Sequence, residues 1–174
     1  NLVVYKVDDK NGAEFLAGAK FKIMSGNEYV TASKQADGTY IYTSADEVGT
    51  EFVTGDSGSF EVDYLPTGSY KLIETGAPEG YIISQTEKAF TIANANESVT
   101  VGNALIRTDL KLTMTDKYGK LLSGVGFEMR TAGGYVKASG SNGAYTFTGL
   151  GEQSEATKCV TDANGVFTIK DIVM

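Results

Sequence analysis

Three polar side chains fall where a strand would place apolar ones. In "YKLIETGAPEGY", residues 70–81, Glu74 follows Tyr70 and Leu72 at alternate positions. Strand side chains alternate between faces, so these three point the same way. In "NLVVYKVD", Lys6 shares a face with Leu2 and Val4. In "SVTVGNAL", Asn103 shares one with Val99 and Val101. The opposite phase, with Val3, Tyr5 and Val7 inward, also satisfies the first strand. In the last strand the opposite phase buries Thr100 and Gly102 in place of two valines.

A lysine, a glutamate and an asparagine in one apolar interior form a reactive set. Burial disfavours charge, lowering the pKa of a lysine and raising that of a glutamate. A neutral Lys6 amine is a nucleophile. A protonated Glu74 can hydrogen-bond the Asn103 carboxamide oxygen, steady the charge that grows there and shuttle protons to the departing nitrogen. The product is an amide between Lys6 and Asn103, with ammonia released. Strands that hold both partners supply the positioning. Two unreactive arrangements use the same residues. One is a buried Lys6–Glu74 salt bridge with Asn103 beside it; the other turns Lys6 out to solvent at an edge.

The elements that must carry these residues are short strands. Alternation marks them at 2–8, 19–24, 28–32, 39–43, 59–64, 69–74, 88–92 and 98–104. Turn signals separate them at "DDKNG", "SGN", "ADG", "GDSG", "PTG" and "APEG". The stretch 43–54 reads as a loop or one helical turn. The chain has 10 Tyr and 8 Phe, no Trp and no His, and 21 Gly against 2 Pro. That composition and spacing predict an all-β fold of antiparallel β-sandwich type.

The sequence also repeats. "LVVYKVDDKNGAEFLAGAKFKI" (2–23) resembles "LKLTMTDKYGKLLSGVGFEM" (110–129). "EYVTASKQADGTYIYT" (28–43) resembles "GYVKASGSNGAYTFT" (134–148), and "FVTGDSGSFEVDYL" (52–65) resembles "CVTDANGVFTIKDI" (159–172). The order is kept at a nearly constant offset, which predicts two tandem units, 1–106 and 107–174. The join "NALIRTDL" has no Gly/Ser-rich linker, so the units are expected end to end with limited freedom. The second unit has no counterpart of "YKLIETGAPEGY" or of the strands after it. Either the sequence is cut short there, or another chain supplies the missing strands. In this register Met114 stands at the Lys6 position, so no such bond is expected in 107–174. Lys111 or Lys117 takes that role only if the register slips.

Several function classes are excluded. The net charge of -7 and the lack of a basic stripe argue against nucleic acid. No apolar run is long enough to span a membrane, and "NLVVYKVDDK" is not a signal peptide. Without His, Ser–His and Cys–His catalysis are absent, and no P-loop or dinucleotide fingerprint appears. The single cysteine, Cys159, reads as a small core residue, and no metal or cofactor site is expected. "TDANGV" (161–166) reads as a turn rather than a calcium loop. "NES" (96–98) fits a glycosylation sequon and reads as a plain turn.

The first unit resembles the Cna B-type (SpaA-like) domains of Gram-positive surface proteins and sortase-assembled pilins. The resemblance rests on "YKVDDKNGAEFLAGAKFKI", "GSFEVDYLPTGSYKLIETGAPEGY" and "VTVGNAL", and "YKLIETGAPEGY" looks like that family's E-box. It implies a prealbumin-like, inverse-immunoglobulin β-sandwich. It also implies a self-generated isopeptide bond in which Lys6 and Asn103 are the linked residues and Glu74 the catalytic acid. The second unit resembles the same family over its first two-thirds, without an E-box or a final Asn. "VVYK" (3–6) is similar to a pilin linkage motif but lacks its Pro.

A Lys6–Asn103 link would tie the first strand to the last and close a loop of about 100 residues, worth about 4–5 kcal/mol by analogy with a disulfide. Tension on the ends would pass through it, and reduction would not touch it. The implied role is a stalk or shaft segment on a Gram-positive cell wall. Its partners would be neighbouring domains or subunits, with sortase and a host extracellular ligand as further candidates. The rival role is an adhesin module that binds a host ligand through its loops, such as 43–57, with Tyr29, Tyr40 and Tyr42 as contributors.

Overall fold

The computed structural model describes residues 1–93 and 96–173. The chain divides into two compact units, Asn1–Leu105 and Ile106–Met174. The first contains β1 (Leu2–Asp8), β2 (Lys20–Ser25), β3 (Glu28–Lys34), β4 (Tyr40–Asp46), β5 (Phe52–Val53), β6 (Ser59–Asp63), β7 (Gly68–Gly76), β8 (Tyr81–Ile83), β9 (Glu87–Ile92) and β10 (Glu97–Leu105). One hydrogen-bonded path runs β8-β10-β1-β6-β4-β3-β2-β7-β9, with β5 on β2. The path curls over on itself. The β10-β1-β6 side and the β2-β7-β9 side face each other across one core of Leu2, Val4, Phe21, Ile23, Phe60, Val62, Leu72, Ile92, Val99 and Val101. Most ladders are antiparallel, but β1/β10 and β4/β6 run parallel.

Alternation sets which residues enter that core. In β7, Tyr70, Leu72 and Glu74 are buried, while Lys71 and Thr75 are exposed. In β10, Val99, Val101 and Asn103 are buried between exposed Ser98 and Thr100. In β1, Leu2, Val4 and Lys6 face inward, with Val7 and Asp8 also buried at the strand's end.

Three local readings change. The stretch 43–54 holds no helical turn. Instead β4 continues to Asp46, whose carboxylate accepts the N–H groups of Val48 and Gly49 at 2.8 and 2.6 Å, and β5 follows. Within "NES", Glu97 and Ser98 open β10 rather than forming a turn, because Leu2 and Val3 pair with them. Asn94 and Ala95, just before, lie outside the described residues. Tyr40 is no surface contributor. It is buried, its hydroxyl accepts the Val53 N–H at 3.3 Å, and its ring meets Phe52 edge-on. Tyr42 and Tyr29 are half-buried, Tyr42 against the core and Tyr29 beneath the Lys22 ammonium.

The second unit contains β11 (Arg107–Thr113), β12 (Gly126–Phe127), β13 (Arg130–Thr131), β14 (Gly134–Ser141), β15 (Ala144–Gly151), a 3-10 turn at Gln153–Glu155, β16 (Cys159–Val160) and β17 (Val166–Val173). Its main sheet has the order β11-β17-β15-β14-β13, and β12 pairs with β16. The core is Val136, Tyr145, Cys159, Phe167, Ile169 and Ile172. Burial pushes the Cys159 thiol pKa up. In "TDANGV", the Gly165 N–H closes a turn on the Asp162 carbonyl at 3.0 Å.

The two units use the same fastenings. Thr54 Oγ1 donates to the Leu16 carbonyl and accepts the Ala19 N–H; Thr161 Oγ1 does the same with Leu122 and Val125. Thr50 and Thr157 clasp the N–H and carbonyl of Ala32 and Ala138 respectively.

Candidate functional site

Lys6, Glu74 and Asn103 meet in the interior of the first unit. Their residue exposures are 0%, 3% and 0%. Lys6 and Asn103 lie on adjacent parallel strands. Lys6 is level with Val101 and Asn103 with Asp8, so the two are diagonal neighbours on one face. Glu74 reaches them from the opposite layer, where β7 is level with Phe21 of β2. The backbone of Lys6 is fixed on both sides. Its N–H donates to the Gly58 carbonyl at 2.8 Å, and its carbonyl accepts the Leu16 N–H at 2.8 Å.

The carboxylate of Glu74 bridges two nitrogens. Lys6 Nζ donates to Oε2 at 2.8 Å, and Asn103 Nδ2 donates to Oε1 at 2.7 Å. The ammonium also lies over the Phe21 ring, 5.8 Å from its centroid. Burial lowers the Lys6 pKa from its ordinary 10.5, and the Glu74 hydrogen bond and charge offset part of that effect. No side-chain nitrogen or oxygen of these three residues is left without a partner. Of the two phases open to β1, the one that buries Lys6 is present, and Lys6 does not turn out to solvent.

One contact differs from the sequence reading. Glu74 meets the carboxamide through its nitrogen rather than its oxygen. The oxygen, Asn103 Oδ1, turns instead to the backbone N–H of Ser84 at 3.4 Å. The reason is local. A carboxylate that already accepts from a lysine gains by accepting again, and β8, paired with β10 through Asn103↔Ile83, leaves the next N–H free to donate. Sequence reasoning missed β8 and Ser84, since a strand of three residues carries no readable period.

In the second unit Met114 takes the place of Lys6, half-buried, with its N–H on the Gly165 carbonyl at 2.7 Å and its carbonyl on the Leu122 N–H at 2.9 Å. Lys111 and Lys117 are exposed. Among the described residues no group of His, Cys, Asp or Glu is arranged to hold a metal ion, and no helix is long and apolar enough to cross a membrane.

A curled β-sandwich with its first and last strands side by side is the architecture of a prealbumin-like class of domain. The chain belongs to the family of SpaA prealbumin-like fold domains, whose family model matches residues 1–105. Several solved structures resemble it, two of them as follows. The Bacillus anthracis TIE protein is 20% identical over 97% of this chain and 25% of its own, with a TM-score of 0.66. GBS52, the minor pilin of the Gram-positive pathogen Streptococcus agalactiae, is 26% identical over 62% of this chain and 44% of its own, with a TM-score of 0.51. The chain therefore spans less than half the length of either. No curated protein matches it.

Proposed function

We propose that the first unit closes a Lys6–Asn103 isopeptide bond by itself, and that the chain is a load-bearing segment of a Gram-positive surface protein or pilus. The observation that carries the chemistry is the placement of Glu74. Its two oxygens touch the nitrogen that must lose a proton and the nitrogen that must gain one. Lys6 Nζ, freed of its proton, attacks Asn103 Cγ, and the carbonyl electron pair moves onto Oδ1. Glu74 takes the proton from Nζ and delivers it to Nδ2. The Cγ–Nδ2 bond breaks, ammonia leaves, and an Nζ–Cγ amide remains. The low polarity that depresses the Lys6 pKa favours the amine that attacks. The event happens once per chain and is not turnover.

The structural role is supported by the family and by likeness to a minor pilin. On this reading residues 107–174 repeat the first strands of the sandwich, with Met114 where the first unit has Lys6. The threonine clasps shared with the first unit support it. Placement on the cell wall, with neighbouring domains or subunits as partners, follows from the same role. The decisive experiment is the intact mass of the purified chain beside Glu74→Ala. A parent lighter by one ammonia, with the full mass restored in the variant and a Lys6–Asn103 cross-linked peptide on digestion, is the expected result. A full mass in folded parent overturns the reading.

A further inference from the structure

Glu74 accounts for both nitrogens of the reaction but not for the oxygen on which negative charge collects. We infer that the backbone N–H of Ser84 is the oxyanion donor of this bond-forming site, and that Asp9 positions it. The inference rests on the isopeptide reading above.

Three observations converge on it. First, the Ser84 N–H already points at Asn103 Oδ1, at 3.4 Å. That is long for a resting hydrogen bond, and it shortens as charge on Oδ1 grows. Second, β8 is held in place for this. Tyr81, Ile82 and Ile83 pair with Leu105, Ala104 and Asn103, so the next N–H is delivered over the carboxamide of the strand it pairs with. Third, the Ser84 hydroxyl donates to Asp9 Oδ2, while the Asp9 N–H donates to the Asn103 main-chain carbonyl at 2.9 Å. Asp9 thus ties Ser84 and Asn103 together from both sides.

Gly102 is part of the same clasp. A Cβ at this position would lie 1.9 Å from Asp9 Oδ1 and 3.1 Å from its carboxylate carbon. The Asp9 carboxylate therefore occupies the space beside Gly102, and a side chain there would push it aside. Gly102 is not among the glycines with positive φ, so what it supplies here is room for the Asp9 carboxylate. In the reaction the Ser84 N–H lends no atom and loses no proton. It binds Oδ1 while the carbonyl electron pair resides there, and releases it when that pair re-forms the C=O as ammonia departs.

The test is a clock. The full chain is translated in vitro, aliquots are quenched in acid, and ammonia loss is followed by intact mass, while protease resistance of the same aliquots reports folding. Replacing the Ile83–Ser84 amide by an ester deletes the N–H and leaves every side chain in place. The expected result is a chain that folds at the parent rate but loses ammonia about tenfold to a hundredfold more slowly. Asp9→Ala and Gly102→Ala are expected to slow the step several-fold, and Asp9→Asn, which keeps an acceptor for the hydroxyl, to restore it. An ester chain as fast as the parent overturns the inference and leaves the isopeptide reading intact. If the ester chain does not fold, the Asp9 pair decides, and equal rates for Ala and Asn overturn the positioning role. A parent that loses no ammonia overturns both readings together.

Discussion

Met114 and Lys6 hold the same place in two different units. Each donates its N–H to a glycine carbonyl, Gly165 at 2.7 Å and Gly58 at 2.8 Å, and each accepts from a leucine N–H, Leu122 at 2.9 Å and Leu16 at 2.8 Å. The backbone is repeated and the side chain is not. Among the described residues β11 pairs with β17 alone, so Met114 has no neighbouring strand in the position that β10 occupies beside Lys6. The mass deficit of the whole chain is therefore expected to be one ammonia, not two. Met114→Lys is expected to leave that count at one, as read by intact mass, because it adds a nucleophile without an acid or an amide.

On the isopeptide reading, the covalent loop carries part of the first unit's stability. Asn103→Ala prevents the bond and is expected to cost the first unit about 4–5 kcal/mol through the freed unfolded chain, which lowers its melting temperature by about 20 °C. Calorimetry of parent and variant measures this. Glu74→Ala placed on top of Asn103→Ala also removes the counter-charge of a fully buried lysine, and is expected to cost about 3 kcal/mol more.

The unbonded Asn103→Ala chain also carries a readable pH signature. Its Lys6 still titrates, and burial holds the folded pKa below the ordinary 10.5. As pH rises through the folded value, the folded chain releases its proton before the unfolded chain does. Between the two values the unfolded state holds more protons, so stability rises with pH. Below the folded value the contribution of Lys6 is flat. Urea unfolding at neutral pH and at about pH 10 is expected to show the variant gaining stability relative to the parent, whose Lys6 on the isopeptide reading is an amide and does not titrate. No gain in the variant overturns the assignment of Lys6 as a desolvated group.

Much of this site was legible in the alternation of three strands. Tyr70, Leu72 and Glu74 share a face because each strand has one buried side, and a polar residue in phase with that side is visible without coordinates. What alternation cannot show is which atom meets which. The carboxamide of Asn103 turns its oxygen to Ser84 because β8, which follows a Pro- and Gly-containing loop, lies next to β10 although β9 intervenes in the chain. Asp9 reads as one more turn residue in "DDKNG". Its reach to Ser84 depends on the space above Gly102, and that is a property of packing. Parallel pairing of β1 with β10 was equally hidden, since alternation has no direction.

The repeated glycines give a test of independence. Gly58 has φ +66, and a Cβ there would lie 2.6 Å from the Leu16 nitrogen; Gly165 has φ +68, with the Met114 oxygen at 2.8 Å. Alanine at either site meets left-handed strain and a backbone clash, at a cost of about 1–3 kcal/mol. Gly165→Ala is expected to lower a second calorimetric transition while the first unit melts as before. A single transition that moves as a whole would show that the two units unfold together.

Tension gives the most direct consequence of linking β1 to β10. Lys6 lies near one end of the first unit and Asn103 near the other, at Leu105. With the proposed amide in place, force applied at the ends would run along β1 to Lys6, cross the amide, and leave along the last residues of β10. Everything from Val7 to Gly102 would then be out of the load path and would contribute no extension even if its hydrogen bonds broke. In the Asn103→Ala chain that segment is back in the path. A fully extended residue spans at most ~3.6 Å, so unfolding the variant is expected to add a step of roughly 300 Å. Single-molecule pulling of parent and variant reads this directly. The parent is expected to show only the step of the second unit, and a long first-unit step in the parent would mean that no covalent link joins Lys6 to Asn103.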